Sequence, residues 1–460
     1  MAKTASVAAS GDRNLDGILS GIRWDGAILT YSFPASGRYY EPNYGGSEPS
    51  KGFAPFTPSQ ASVARKIFAM FASVANLDLV EIHESEFDHA DLRLASSTIS
   101  AAAWSYYPSS SPSGGDAWFR ASATWLNDMR AGSYGFFVVM HEIGHTLGLK
   151  HGHEEGVFGP KPWTRDSMEF SIMSYRSYVG AGGAYLENEQ WGYAQSLMMD
   201  DIAALQYMYG AEYTTHAGNT VYRWSPATGE AFINGVGQGA PGANRVLTTV
   251  WDGGGRDTYD FSNYSANLVV DLRPGAWTRL SLTQLAELGY GHPARGNIAN
   301  SLLHQGDPRS LIQNAIGGSG NDRIFGNLAN NALVGGKGND RLYGLEGCDT
   351  LTGGKGKDMF MFTTAPNRSS NLDRIRDFSV KDDTIALENG VFKALKKAGW
   401  LASKAFWTGS KAHDASDHII YNKVKGALYY DPDGTGCAPQ VQIAALTKGL
   451  KLTAADFWVI

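Results

Sequence analysis

Three histidines and one glutamate lie within eleven residues of this chain, at a spacing that could bind and use a metal ion. The segment from His141 to His151 has the pattern H-E-x-x-H-x-x-G-x-x-H. Residues four apart share one face of a helix, so His141 and His145 can hold one ion together. Glu142 would project beside them, close enough to take a proton from water that the metal activates. The segment therefore predicts catalytic chemistry at a zinc ion.

A glycine and a third histidine complete this pattern. Gly148 lets the backbone leave the helix in a left-handed conformation, and the turn returns His151 as a third ligand. Three protein ligands leave a fourth position open, which distinguishes a catalytic zinc from a structural one. The alternative is a buried helix whose histidines only satisfy hydrogen bonds in the core. The length of the full motif favours the zinc site.

The elements that must position the motif are also visible in the sequence. Ser133 predicts a helix N-cap, and the apolar residues at 136–140 predict a buried face that continues into the motif. Thr57 is followed by proline, which predicts the start of an earlier long helix. Residues 77–82 and 90–94 alternate apolar and polar side chains as strands do. Both helices and strands are expected around the motif.

The C-terminal half contains a nine-residue repeat. Five copies fill residues 317–361, with glycine first and an apolar residue eighth in every copy. The pattern G-G-x-G-x-D-x-U-x is typical of parallel β-rolls that bind calcium between successive coils. Glycine permits tight turns with carbonyls facing inward, and aspartate supplies a hard anionic oxygen. A flexible Gly-rich linker is the alternative, but a linker would not keep this spacing or a buried apolar position.

The repeat positions that would supply calcium ligands are not equally strong. They are Gly318, Gly320, Asp322, Asn327, Ala329, Asn331, Gly336, Gly338, Asp340, Leu345, Gly347, Asp349, Gly354, Gly356 and Asp358. In the second copy, Asn327, Ala329 and Asn331 replace Gly, Gly and Asp. Leu345 breaks the fourth copy. We expect fewer or weaker ions at these two copies.

Composition limits the classes of protein that fit. A chain of 460 residues is long enough for two or three domains with proper cores. The net charge of −6 argues against nucleic acid as a partner. Two cysteines, Cys348 and Cys437, do not make a disulfide framework. No apolar run approaches about 18 residues, so no membrane span is expected, and no Sec-type signal is visible at the N-terminus.

Residues 171–175 read Ser-Ile-Met-Ser-Tyr, downstream of the histidines. With the histidine motif and the repeat after it, the chain resembles the metzincin metallopeptidases, and among them the serralysins. The resemblance implies an α+β metzincin catalytic domain, with a twisted sheet and long helices, followed by an all-β parallel β-roll. It implies a short propeptide or tail over 1–11, the catalytic domain over 12–215, and the calcium-binding roll with a secretion-signal region over 216–460.

The resemblance also implies roles for single residues. One catalytic zinc would be held by the three histidines, with Tyr175 as a further ligand in the resting enzyme and as a hydrogen-bond donor to the oxyanion. Met173 would pack beneath the metal as a hydrophobic floor. Ala117 and Trp118 lie in a segment similar to the edge strand above the cleft, which would pair with the substrate backbone. A plain core strand is the alternative for this segment.

Further calcium positions are implied by the resemblance outside the five copies. They are His216, Gly218, Thr220, Asp252, Gly254, Asp257, Gln313 and Asp383. Gln313 stands where the family usually offers glutamate, which puts the charge balance of that site in doubt. The family commonly has Ser-His-Pro at the third histidine, whereas this chain has Lys-His-Gly at 150–152. We interpret His153, Glu154 and Glu155 as a solvated loop rather than as extra metal ligands, because charged residues are usually exposed.

The resulting prediction is a secreted, calcium-stabilised zinc endopeptidase that acts on extracellular proteins or peptides as a monomer. The resemblance implies export by the type I (ABC) secretion machinery of a Gram-negative bacterium, and a small proteinaceous periplasmic inhibitor as a partner. Residues 455–460 resemble an uncleaved export signal, and they also fit a final core strand.

Two alternatives from other classes remain at this point. A β-roll adhesin with an inactive metzincin domain is disfavoured by the intact Glu142. Another hydrolase on a repeat module, such as a lipase, would need a G-x-S-x-G elbow. The glycine-rich residues 317–321 do not provide one, because they lie inside the repeat.

Overall fold

The computed structural model describes residues 2–42, 44–98, 101–183 and 186–460, and the α-helices of these residues lie in the N-terminal half. The elements of that half are β1 (Lys3–Ser6), α1 (Arg13–Asp16), β2 (Ile22–Asp25), β3 (Ile28–Ser32), α2 (Pro58–Val74), β4 (Asp78–Glu81), β5 (Leu92–Ser97), β6 (Ala103–Ser105), β7 (Ala117–Arg120), α3 (Tyr134–Thr146) and α4 (Met199–Tyr209).

Strands dominate the remainder of the chain. They begin with β8 (Val221–Trp224), β9 (Ala231–Ile233), β10 (Val236–Gly237), β11 (Thr248–Val250), β12 (Thr258–Asp260), β13 (Val269–Asp271), β14 (Trp277–Thr278), β15 (Ile298–Asn300), β16 (Asn314–Ile316), β17 (Arg323–Phe325) and β18 (Ala332–Lys337). They continue with β19 (Arg341–Tyr343), β20 (Thr350–Lys355), β21 (Met359–Phe362), β22 (Asp373–Ile375), β23 (Thr384–Leu387), β24 (Gly399–Trp400), β25 (Phe406–Thr408), β26 (Ile419–Asn422), β27 (Ala427–Tyr430), β28 (Val441–Ala445) and β29 (Phe457–Val459).

The two long helices start where their caps predict. The Thr57 hydroxyl accepts a hydrogen bond from the Gln60 N–H, and the Gln60 side chain accepts one from the Thr57 N–H, so the two residues form a capping box before α2. The Ser133 hydroxyl accepts from the Phe136 N–H at 3.1 Å and caps α3. Both predicted helix starts are confirmed, and α3 carries the histidine motif.

The N-terminal half is built on a five-stranded sheet in the order β4-β3-β5-β7-β6. Its strands run parallel except β6, which is antiparallel to β7 and forms the edge. Helix α3 packs beside β6. The strand at 103–105 is therefore the one that borders the histidine motif.

The prediction that Ala117 and Trp118 lie on the edge strand is wrong. They belong to β7, which pairs with β5 on one side and with β6 on the other. Both side chains are fully buried, and the Trp118 indole N–H donates to the Tyr44 hydroxyl at 2.7 Å. A strand that is hydrogen-bonded on both sides offers no free backbone to a peptide. The sequence pattern could not reveal this, because an apolar strand reads alike at the centre and at the edge of a sheet.

The first residues of the chain pack against the rest of the N-terminal half. Strand β1 pairs antiparallel with β2, and the Tyr207 hydroxyl donates to the Ala8 and Ala9 carbonyls. This stretch is the one predicted as a propeptide or tail, and its removal stays a prediction.

The repeats form the predicted parallel roll. Successive nonapeptides contribute strands alternately to two sheets, so residues 18 apart become neighbours, as Ile324 and Leu342 or Leu333 and Leu351 do. The eighth-position side chains are all fully buried between the sheets: Ile324, Leu333, Leu342, Leu351 and Phe360. The buried apolar position rules out the linker alternative.

The end of the chain belongs to the same fold. Strand β29 pairs parallel with β23 and antiparallel with β24, so the terminal apolar run is a core strand. Its reading as an export signal stays a prediction. Cys348 and Cys437 are both free thiols. Among the described residues, no helix has the length and apolar character needed to cross a membrane.

Candidate metal centres

The three motif histidines converge at the end of α3. The Nε2 atoms of His141 and His145 lie 3.1 Å apart, and His151 Nε2 lies 3.1 Å from the first and 2.9 Å from the second. Gly148 makes this possible with a φ of +102°, and a Cβ there would lie 2.4 Å from the Ile22 carbonyl oxygen. The predicted glycine turn is confirmed.

Hydrogen bonds at the opposite ring nitrogens fix the tautomers. Nδ1 of His141 lies 2.7 Å from the Ile172 carbonyl oxygen, and Nδ1 of His145 lies 2.7 Å from that of Leu149. Nδ1 of His151 lies 2.6 Å from Glu154 Oε1. These partners only accept, so each Nδ1 carries the proton and each Nε2 presents a lone pair.

Three lone pairs at such distances repel one another unless a cation lies between them. These separations are close to about 3.3 Å, the distance between two ligand nitrogens of a tetrahedral zinc with bonds of about 2.0–2.1 Å. Burial lowers the pKa of His141 to about 4 and that of His151 to about 2, and it holds the pKa of His145 well below its usual range. The rings are therefore neutral near pH 7 and fit a zinc ion.

Glu142 lies beside the three histidines with its carboxylate buried. Burial raises its pKa to about 7, which is the range suited to a general base. Its Oε2 accepts a hydrogen bond of 2.6 Å from the Ser105 hydroxyl, on edge strand β6. Sequence reasoning missed Ser105, since no local pattern says which edge residue meets the helix.

The segment at 171–175 contacts α3 through Met173 and hydrogen-bonds to the His141 ring through Ile172. Met173 is fully buried, and a Cβ on Gly144 would lie 2.8 Å from its sulfur. The Asp201 carboxylate of α4 accepts from the Ser171 hydroxyl at 2.6 Å and from the Ile172 N–H at 2.8 Å. The Ile172 carbonyl in turn accepts from the first motif histidine. A hydrogen-bonded chain thus links α4 to one ring of the centre.

Tyr175 lies at the open side of the histidines. Its ring centroid is 4.3 Å from that of His151 and 5.8 Å from that of His141, and 37% of its surface is exposed. Burial of the remainder raises its pKa to about 12. The phenol therefore stays protonated at neutral pH and can donate a hydrogen bond.

The interpretation of residues 153–155 as a solvated loop is only partly right. His153 and Glu155 are exposed. Glu154 is only partly buried, but its carboxylate contacts the His151 ring. The error comes from judging the segment by composition, which cannot show where a carboxylate points.

The predicted calcium ligands are brought together in two columns along the roll. The first column holds Gly318, Gly320, Asp322, Gly336, Gly338, Asp340, Gly354, Gly356, Asp358 and Asp383. The second holds His216, Gly218, Thr220, Asp252, Gly254, Asp257, Gln313, Asn327, Ala329, Asn331, Leu345, Gly347 and Asp349. We call them the acid column and the mixed column.

A ladder of carboxylates runs along the acid column. The Asp322 N–H donates to Asp340 Oδ1 at 2.8 Å, and the Asp340 N–H donates to Asp358 Oδ1 at 3.0 Å. The Asp358 N–H donates to Asp383 Oδ1 at 3.0 Å. At Gly338 a Cβ would lie 2.0 Å from the Gly320 carbonyl oxygen, so glycine is required where carbonyls of one coil face the next.

The acid column leaves buried oxygens without partners. Asp340 Oδ2 and Asp358 Oδ2 accept no hydrogen bond from any residue in the described ranges. Burial raises the pKa of Asp340 to about 7 and that of Asp358 to about 6. A hard divalent cation between the coils would supply what these oxygens lack, so the residues present fit calcium.

The middle of the mixed column is satisfied without a cation. The Asn331 side-chain NH₂ donates to the Gln313 carbonyl at 2.9 Å and to Asn327 Oδ1 at 3.0 Å. The Asn327 NH₂ donates to the Leu272 and Ile312 carbonyls. Amide hydrogens thus point at oxygens that would otherwise face an ion, and the donor set fits calcium poorly here.

The N-terminal end of the mixed column is acidic again. The Thr220 N–H donates to Asp257 Oδ1 at 2.8 Å, and the Asp257 N–H donates to Gln313 Oε1 at 2.6 Å. Asp257 Oδ2 is buried and has no partner within the part of the chain that the structure describes. Asp252 Oδ2 accepts from the Tyr222 hydroxyl at 2.7 Å. Carboxylates and carbonyls gather here as the resemblance implies.

Asp373 extends the mixed column and was missed from the sequence. It is buried, and its Oδ1 accepts from the Asp349 N–H at 3.1 Å. Burial raises the pKa of both carboxyls, and repulsion from Asp373 raises that of Asp349 further. An insertion places Asp373 outside the nine-residue spacing, but its local phrase Asp-Arg-Ile matches the phrase at 322–324 and could have revealed it.

Comparison with known proteins agrees with this architecture. The family model for the Peptidase M10 serralysin C terminal matches residues 211–411, and the Matrixin model matches residues 58–172. Metalloprotease AprA of Pseudomonas entomophila (strain L48) is 34% identical over 400 residues, which are 83% of this chain and 74% of that protein. Metallopeptidase AprA of Pseudomonas marginalis is 34% identical over 421 residues, 89% of this chain and 82% of that protein.

Serralysin B of Dickeya chrysanthemi is 36% identical over 313 residues, and the match spans 58% of that protein. Fold, histidine cluster and matches together define a zinc metalloendopeptidase, rather than an adhesin or a lipase. The chain belongs to the serralysin family of metalloproteases. The family implies a catalytic zinc, and the three motif histidines form a group that could hold it.

The raised carboxyl pKa values predict how the roll responds to pH in a buffer with a calcium chelator. In the unfolded chain an aspartate titrates near about 3.9, whereas Asp340 in the fold titrates at about 7. Ionisation therefore begins in the unfolded state, and stability falls as pH rises from about 4 to 7. Below about pH 4, Asp340 is protonated in both the folded and the unfolded chain, so burying its carboxyl carries no charge penalty.

Thermal melts between about pH 4 and 7 would measure how steeply the stability falls with pH. Asp340→Asn should flatten it, because the amide carries no charge to bury. A wild-type slope equal to that of Asp340→Asn would contradict the prediction.

Proposed function

We propose that this zinc metalloendopeptidase binds its zinc through His141, His145 and His151 and hydrolyses extracellular proteins with Glu142 as general base. The observation that carries the proposal is the convergence of three Nε2 lone pairs beside one buried carboxylate. A zinc ion held there supplies a Lewis acid that activates water and polarises the scissile carbonyl.

The surrounding side chains divide the remaining tasks. Glu142 takes a proton from the attacking water and later delivers it to the leaving amine. The Ser105 hydroxyl holds Glu142 Oε2, and Oε1 is the oxygen proposed to carry out that transfer. Tyr175 would also serve as a zinc ligand in the resting enzyme, and its phenol would donate a hydrogen bond to the oxygen that becomes negative during attack. Met173 forms the floor under the histidines.

The substrate backbone is proposed to pair with edge strand β6 rather than with β7. Strand β6 packs beside α3 and carries the hydroxyl that contacts Glu142. A peptide added to this edge would lie across the open side of the three histidines, because β-augmentation extends a sheet strand by strand. Ala117 and Trp118 lie on the interior strand β7, which pairs with the other side of β6.

Calcium is proposed to stabilise the roll at the acid column and at the Asp252–Asp257 end of the mixed column. The unpartnered oxygens of Asp340, Asp358 and Asp257 support this assignment. The region is proposed to span 216–460, after a catalytic domain over 12–215. Because an ion that binds only the folded roll stabilises it by mass action, folding would follow the calcium concentration.

Location and partners follow from the family resemblance. We propose an extracellular monomer exported by a type I machinery of a Gram-negative bacterium, with residues 455–460 as the export signal. A calcium-poor cytoplasm would keep the roll unfolded and the host protected. A small periplasmic protein inhibitor completes the proposed partners.

Glu142→Ala tests the general base. The variant should keep one zinc per chain, because the three histidines remain, and should lose about 10²–10⁴-fold in kcat/KM on a peptide substrate. Zinc analysis and peptidase assays would measure the two quantities, with Glu155→Ala as the control. Activity within about tenfold of wild type would refute the role of Glu142 as base.

Tyr175→Phe tests the oxyanion donor. The ring is kept and only the phenol oxygen is removed, so kcat should fall by about 10²-fold while KM changes little. Steady-state kinetics on one peptide would separate the two effects. A change confined to KM would mean that the residue only binds substrate.

Asp340→Ala and Asn331→Ala compare the two columns. Asp340 would offer a charged oxygen to an ion, whereas the Asn331 side chain already donates hydrogen bonds to Gln313 and Asn327. At saturating calcium, Asp340→Ala should lower the melting temperature more, and the difference should shrink when calcium is chelated. Equal losses in both conditions would mean that packing alone holds the roll.

A further inference from the structure

The loop after the third histidine is fixed by a buried lysine. Lys150 is buried, and its Nζ donates to the carbonyls of Gly17 at 2.7 Å, Glu154 at 2.8 Å and Gly159 at 3.1 Å. One ammonium group thus ties the loop to α1 and closes it on itself. Lys150 therefore holds the backbone of Glu154 independently of the Glu154 side chain.

The side chain of Glu154 is held at the ring of His151. Its Oε1 lies 2.6 Å from Nδ1, and its other oxygen lies 3.5 Å from the Tyr107 hydroxyl. The rings of His141 and His145 use backbone carbonyls for the same purpose. His151 is therefore the motif histidine whose partner carries a full negative charge.

A purely structural role explains this contact poorly. The Glu154 side chain is 39% exposed, and a hydrogen bond from the neutral His151 ring to a carboxylate at such a position contributes little stability. The backbone of the loop already has its anchor in Lys150. What the carboxylate does control is the ring: it fixes the proton on Nδ1, directs Nε2 toward the other two histidines and makes that nitrogen a stronger donor.

We propose that Glu154 is a positioning residue that orients His151 and strengthens its bond to the zinc ion. This inference rests on the proposed function, since it requires His151 to be a zinc ligand. Lys150 and Glu154 then act as one unit, in which the lysine places the loop and the glutamate places the ring. Lys150 and Gly152, on either side of His151, are the positions at which this chain departs from the common family pattern.

Zinc affinity, measured apart from activity, tests the inference. The zinc dissociation constant of the full chain would be measured at saturating calcium, by competition with a chromophoric zinc chelator. Glu154→Ala should weaken zinc binding by about 10–100-fold, the usual effect of losing such a partner. Glu154→Gln should fall between Glu154→Ala and wild type, because the amide oxygen accepts from Nδ1 without the charge. Glu155→Gln removes the same charge from the next, exposed residue and should leave the affinity unchanged.

Two further measurements separate the possible outcomes. Melting temperatures of the zinc-free forms should be equal for wild type and Glu154→Ala. A fall in that temperature together with weaker zinc binding would overturn the inference in favour of a structural role. Wild-type affinity in Glu154→Ala would also overturn it and leave the proposed function standing. His151→Ala serves as the reference, since full affinity there would reject His151 as a ligand and the proposed function with it.

Discussion

Repulsion between buried groups of like character governs the arrangement of this protein. Three imidazole lone pairs meet at the end of α3, and carboxylate oxygens without partners line the acid column of the roll. Both arrangements are unfavourable in a dry interior and become favourable around a cation. Hydrogen bonds at the far side of these groups orient them, so that their free atoms face one another. The fold serves to keep the repelling atoms together.

The support of the catalytic centre comes from distant parts of the chain. Asp201 on α4 holds the segment whose carbonyl orients His141, and Ser105 on the edge strand orients Glu142. A helix, a loop and a strand thus orient two side chains of α3. At the open side of the centre, Tyr175 remains partly exposed.

Local patterns were enough to predict the histidine motif, its glycine turn, the helix caps and the parallel roll. Each depends on spacing within one segment, which a sequence displays directly. The edge strand was assigned wrongly because sheet order is a tertiary property, and β6 and β7 look alike as short apolar segments. Ser105, Glu154 and Asp373 were missed or misread for a related reason: their partners lie across a loop, a sheet edge or an insertion. The metal-binding roles of single residues stay predictions.

The alternation of strands between two sheets sets the step in which the roll can change length. Neighbours within a sheet are 18 residues apart, so one complete coil contains two nonapeptides. Removing a single nonapeptide would move every later strand to the opposite sheet and place the acid column in line with the mixed one. Strands β22, β23 and β29 would then meet the wrong partners. Adding or removing strands should therefore preserve the pairing only in whole coils, whereas the insertion before Asp373 lengthens a connection and leaves the strand order unchanged, with Leu351 opposite Ile375.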